Sequence, residues 1–89
     1  MDARYLAEAV GTMVFLAIIL KSGGDKYVIV AGLLAAILLM GDVSGGHFNP
    51  AVSFMQYLGG NMTTQDLIGY SASQFIGAYL AMQLVNYLK

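Results

Sequence analysis

Apolar residues fall along this chain in three long runs, separated by polar, glycine-rich joints. The first is "RYLAEAVGTMVFLAIIL" (4–20), the second "YVIVAGLLAAILLM" (27–40), and the third, more mixed, "QDLIGYSASQFIGAYLAMQLVNYL" (65–88). At a helical rise of about 1.5 Å per residue, crossing the ~30 Å hydrocarbon core takes about 20 residues, with ~17 as the lower limit. The first and third runs meet that length. The second, ended by Gly41 and Asp42, falls short unless the chain that follows it is itself buried. The joints "KSGGDK" (21–26) and "GGNMTTQD" (59–66) read as turns. In the latter, Thr63 or Thr64 is placed to N-cap the third helix, with Asp66 favouring its positive end. A single domain over residues 1–89, with no linker or internal repeat, is the expectation.

Between the second and third runs the pattern breaks at "GGHFNPAVSF" (45–54), which holds the chain's one proline and one histidine. Asn49 followed by Pro50 is a helix start, since Asn is a favoured N-cap and Pro is favoured at the first helical position. "PAVSFMQYL" (50–58) is apolar enough to follow as helix, and Gly59-Gly60 stops it. Nine residues span about 13 Å, roughly half a bilayer. Lipid cannot satisfy the exposed backbone of "DVSGGHF" (42–48), so non-helical chain at that depth must line a cavity or lie against protein. The half-helix N-terminus would gather unpaired N–H groups and a partial positive charge near mid-membrane. Gly45 and Gly46 would let the loop present its carbonyls unobstructed. An Asn-Pro pair alone also caps helices in ordinary surface loops. The whole stretch is more specific, and it suggests a solute path. The fold expected is an all-α membrane protein of three transmembrane helices plus one re-entrant half-helix.

Composition supports the bilayer. Hydrophobic residues make up 58% of the chain, and four basic plus five acidic side chains give only nine charges. Charged residues at 10% are well below the roughly 25% of a soluble domain. A soluble chain this small would bury only about 60–65% of its surface, leaving much of this apolar material in water. Net charge is −1 without a basic run, which speaks against nucleic acid as a partner. The absence of cysteine excludes disulfides and thiolate metal sites. One histidine and few carboxylates offer no catalytic constellation, no metal site and no reason to expect a cofactor, so an enzyme is not expected. Residues 1–22 could pass for a signal peptide, but Glu8 lies inside them and an A-x-A-like cleavage site is missing, so they read as a retained span. Glu8 is costly in a membrane and is a functional-site candidate by default. In the third run Gly69, Ser73, Gly77 and Ala81 repeat at four-residue spacing, a stripe that lets another helix approach closely. Gln74 beside it suits interhelical hydrogen bonding. Tyr5, Tyr27, Tyr79 and Tyr87 lie near span ends, as interface anchors do.

"SGGHFNPAVS" (44–53) resembles the first-half signature loop of the aquaporin (major intrinsic protein) family, and the match continues through Phe54 before Met55 departs mildly. "AEAVGT" (7–12) resembles the opening of that family's first helix, and "SQFIGAYLA" (73–81) that of its third. Motif order and spacing agree over nearly the whole chain. The family's channel contains two such halves related by inverted symmetry, and this chain resembles one. The resemblance therefore implies that two copies pair antiparallel, so that their half-helices meet at mid-membrane. Arg4 lies on one side of a three-span chain and Lys21, Lys26 and Lys89 on the other, a bias that fixes orientation only weakly. By the same resemblance Asn49 donates its amide to the permeating molecule, and Pro50 and Ala51 pin the two tips together. The carbonyls of Gly45, Gly46, His47 and Phe48 line the approach. Ile29 and Ile37 correspond to narrow-filter positions on the second helix, and Gly46 and Val52 to the filter's loop positions. Val52 stands where an arginine follows Asn-Pro-Ala in the family's second half, implying wider, less charged mouths than a strict water channel has.

The resemblance makes Glu8 a structural acceptor for loop backbone and His47 a loop residue positioned by hydrogen bonds; proton coupling at Glu8 and pH sensing at His47 are the alternatives. Taken together, these features imply an integral, multi-pass membrane protein surrounded by lipid. It would conduct water, and small neutral solutes such as glycerol, through an antiparallel homodimer, four such pores assembling from eight chains. Two rival readings are a small dual-topology, proton-coupled transporter using Glu8, and a non-conducting assembly subunit.

Overall fold

A computed structural model describes residues 2–88; Met1 and Lys89, with the charge assigned to Lys89 above, lie outside the described residues. Four helices follow one another: α1 (Ala3–Lys21), α2 (Lys26–Ser44), α3 (Pro50–Leu58) and α4 (Thr64–Tyr87). Each begins at a polar N-cap. Asp2 accepts from the Arg4 N–H, Asp25 from Tyr27 and Val28, Asn49 from Ala51, and Thr63 from Asp66. These bonds satisfy N–H groups that a helix's first turn cannot pair internally.

α2 corrects the sequence reading. It does not stop at Met40 but runs through Gly41, Asp42 and Val43 to Ser44, so only the part of 42–48 beyond Ser44 is non-helical. A single glycine inside a helix costs only about 1 kcal/mol relative to alanine, too little to end one whose flanks are apolar. The stop is Gly45, whose φ of 92° is left-handed and whose N–H donates back to the Gly41 carbonyl at 2.7 Å. At 19 residues, α2 reaches about 28 Å, as does α1.

α1 lies at the centre, with α2 on one side and α4 on the other, and α3 rests on α4. The turn after α1 folds α2 back antiparallel, whereas α4 runs parallel to α1. Gly69 faces Tyr5 and, two turns on, Gly77 faces Ala9 and Thr12. A Cβ at Gly77 would stand 2.5 Å from the Ala9 carbonyl oxygen and 2.9 Å from the Thr12 Cβ. Only glycine allows this approach. The stripe of Gly69, Ser73, Gly77 and Ala81 is thus consumed inside the chain, against α1. At one end Arg4 ties the parallel pair together, bonding Asp66 through both terminal nitrogens at 2.9 and 3.0 Å, with Tyr5 donating to the same carboxylate at 2.8 Å. Arg4 also reaches back to Asp2; its side-chain bonds and then its backbone N–H hold the Asp2 carboxyl below the usual carboxylate value.

The distribution of polarity is inverted relative to a soluble protein. The largest fully buried side chains are Gln74, Glu8, Thr12 and Ser53, all polar, while Leu38 is 74% and Phe75 66% exposed. Apolar outside and polar inside is what a hydrocarbon solvent selects. Among the described residues, α1 and α2 are long and apolar enough to cross a bilayer. α4, with 24 residues, is longer but carries Gln65, Asp66, Gln74, Gln83 and Asn86.

Candidate functional site

The loop between α2 and α3 is held from beneath by one carboxylate. Glu8 projects from α1 with none of its surface exposed, and four donors converge on it. Its Oε1 accepts from the Phe48 N–H at 2.8 Å and Gln74 Nε2 at 2.9 Å. Its Oε2 accepts from the Ser44 hydroxyl at 2.6 Å and the His47 N–H at 3.1 Å. Three of the four helices and the loop therefore share one anion. Donors approach the oxygen pair from every side, two to each oxygen.

A second layer extends this anchor. Gln74 Nε2 also donates to Ser53 Oγ at 2.9 Å, and that oxygen lies 2.8 Å from His47 Nδ1. The His47 ring packs 4.9 Å from the Tyr70 ring, and the Tyr70 hydroxyl donates to the Ser44 carbonyl at 2.6 Å. Phe48 has a left-handed backbone, φ 54°, which disfavours a bulky side chain by about 1–2 kcal/mol. Its N–H bond to Glu8 and the burial of its ring against Gly11 offset that cost.

The loop thus secured delivers the tip of α3 to an open face. Asn49 and Ala51 are exposed; Pro50 and Val52 are half-buried. Asn49 Oδ1 is committed to the Ala51 N–H at 2.8 Å, which fixes the carboxamide and leaves its NH2 group directed to other partners. Gly45 is exposed, Gly46 and His47 half-buried, and Phe48 buried. Ile37 sits beside Gly46, with which it would make contact through any added Cβ at 3.6 Å. Ile29 stands eight residues earlier on α2, about 12 Å along the axis, so one chain does not bring it to the level of the loop. Below the tip, a pocket of about 250 Å³ is lined by Thr12, Phe15 and Leu16 of α1, by Phe48, Asn49 and Pro50, and by Gln74, Phe75 and Ala78 of α4.

Residues that sequence reasoning left without a role are Ser44, Ser53, Tyr70 and Thr12. Ser53 carried a signal, standing four residues after Asn49 and hence on the same face of α3. Tyr70 carried none, because its partner is a backbone carbonyl 26 positions away.

Comparisons with known proteins place this geometry in context. The family model described as Major intrinsic protein matches residues 2–89. The chain is 39% identical over 91 residues to "Glycerol uptake facilitator protein-like 6" of Lactiplantibacillus plantarum, a match covering 93% of this chain and 42% of the relative. It is 33% identical over 98 residues to "Aquaglyceroporin AqpS" of Rhizobium meliloti, again covering 93% and 42%. Over 57 residues it is 46% identical to "Probable aquaporin TIP5-1" of Oryza sativa, covering 64% of this chain and 21% of that one. The chain thus spans less than half the length of these relatives. No solved structure gives a significant match.

Proposed function

Because the chain belongs to the major intrinsic protein family and is an integral membrane protein, we propose that it forms a passive channel for water and small neutral solutes such as glycerol, and is not an enzyme. In this reading α4 makes the third crossing and α3 is the re-entrant half-helix. The single domain is half of a pore. A second copy, inserted the other way up, supplies the other half. Inversion carries the partner's Gly46 and Val52 toward the level of Ile29, which a single chain leaves without loop neighbours. Four such pores from eight chains would complete the assembly.

The observation that carries this reading is the Glu8-anchored loop, which holds the Asn49 carboxamide at an exposed half-helix tip with its oxygen already committed. The free NH2 donates to the permeant, the carbonyls of Gly45, Gly46, His47 and Phe48 accept from it on the approach, and Pro50 and Ala51 hold the two tips together. Opposed helix N-termini disfavour cations at the centre. Val52 and Ile29 make each mouth wide and uncharged, which suits glycerol as well as water. Glu8 and Gln74 act as supports. With four donors on a fully buried carboxylate, Glu8 has no free face for a substrate, which disfavours the proton-coupled alternative.

Asn49→Asp tests the reading. The substitution places an anion at the tip, and liposomes carrying it should show reduced water and glycerol flux or admit cations. Unchanged flux together with unchanged ion exclusion would remove Asn49 from the mechanism.

A further inference from the structure

On the side of the α1–α4 seam away from the α3 tip, a groove follows the two helices. It runs from Tyr5 and Leu6 to Met13 on α1 and along Ser73, Ile76 and Leu80 on α4, with a volume of about 230 Å³. On α4, Ile76 and Leu80 stand to one side of the packed stripe, whereas Phe75 and Ala78 of the tip pocket stand to the other. The groove wall is apolar, since the Ser73 hydroxyl is turned back to donate to the Gly69 carbonyl at 2.7 Å.

The outer end of the groove is charged. Tyr5, at that end, donates its hydroxyl to Asp66, which also holds Arg4, and Arg4 in turn holds Asp2. The Arg4 and Asp2 side chains remain 43% and 35% exposed. Two carboxylates around one guanidinium give a net charge of −1, with the signs alternating across a few ångströms. This cluster repels a headgroup that is only anionic and offers Asp2 oxygen to an ammonium beside it. A headgroup carrying phosphate and ammonium on a short link matches both signs. A primary ammonium donates hydrogen bonds to a carboxylate, which a trimethylated one cannot do.

Length agrees with the same occupant. α1 spans about the thickness of the hydrocarbon core, and Tyr5 is its third residue, so the charged end lies at headgroup level. From Tyr5 to Met13 the groove descends about 12 Å, close to one leaflet of a ~30 Å core. A packed helix would cover the whole of α1, whereas one acyl chain covers one leaflet. We propose that this groove seats a phosphatidylethanolamine molecule, one acyl chain lying against Leu6, Met13, Ile76 and Leu80, the phosphate at Arg4 and the primary ammonium at Asp2. The inference rests on the chain's place in a bilayer and not on the paired-channel reading.

Native mass spectrometry of the purified chain in detergent tests it, by titration with phosphatidylethanolamine, phosphatidylcholine and phosphatidylglycerol of identical acyl chains. One phosphatidylethanolamine per chain should be retained about five-fold better than either of the others. Asp2→Asn keeps a good N-cap and removes the charge. It should bring phosphatidylethanolamine down to the level of phosphatidylcholine and raise phosphatidylglycerol, a change of rank that a loss of structure would not produce. Ala9→Leu fills the groove, which Ala9 lines, and should lower retention of all three lipids. Val30→Leu, on the exposed face of α2, should alter none of these ratios. Circular dichroism of each variant verifies the helices. Equal retention of the three lipids by the unaltered chain, or a preference that survives both Asp2→Asn and Ala9→Leu, would overturn the assignment.

Discussion

Replacing Glu8 by glutamine keeps the shape of the side chain and exchanges one acceptor for a donor. Depending on which way the amide sits, one or two of the four incoming groups lose their acceptor. With nitrogen at the Oε1 site, the Phe48 N–H and Gln74 Nε2 face a donor; with nitrogen at Oε2, the His47 N–H does, while the Ser44 hydroxyl can rotate to accept. Hydrogen bonds to a charged group contribute about 1.5–3 kcal/mol each, so losing one or two removes about 2–6 kcal/mol. The lower desolvation cost of an amide than of a carboxyl group offsets part of this, leaving a net loss of about 2–4 kcal/mol. The loss falls on the loop, because Phe48 keeps its left-handed backbone partly through that bond. The assay is reversible unfolding in detergent followed by circular dichroism, with osmotic flux measured on liposomes from the same preparation. Glu8→Gln should unfold earlier and conduct less. Unchanged stability would refute the anchoring argument, and transport that requires a pH gradient and vanishes in Glu8→Gln would favour proton coupling.

Other consequences follow from single positions. Gly77→Ala thrusts a methyl group to 2.5 Å from the Ala9 carbonyl oxygen, so α1 and α4 must separate. Overpacking of this kind costs about 1–3 kcal/mol, read as a lower unfolding midpoint, and an unchanged midpoint would mean that the helices are less closely apposed than described. Val52→Arg adds length and charge beside the α3 tip and, on the proposed channel, should cut glycerol flux more than water flux in stopped-flow light scattering; equal reduction of both would separate Val52 from selectivity.

Much of the fold was legible because its signals are local. Asn49-Pro50 fixes the start of α3 by cap chemistry and Gly59-Gly60 its end, while Thr63 opens α4. The end of α2 was misplaced because Gly41 and Asp42 resemble a stop, whereas the left-handed residue that ends the helix is Gly45. The stripe on α4 announced close packing but not its partner, which α1 supplies through Tyr5, Ala9 and Thr12. Long-range chemistry was the least legible. Nothing along the chain states that Ser44, His47, Phe48 and Gln74 share Glu8, since those pairs stand 36 to 66 positions apart. The motif resemblance supplied the role of Glu8, and the coordinates supplied its partners. Tyr70 and Thr12 had neither route.

The central claim is that this short chain conducts by itself. Purified protein, with no other polypeptide, is reconstituted in liposomes and subjected to an osmotic step in a stopped-flow instrument. The account predicts shrinkage faster than that of empty vesicles, and re-swelling in a glycerol gradient faster than theirs. Rates equal to those of empty vesicles for both solutes, from protein whose helices are intact, would contradict it.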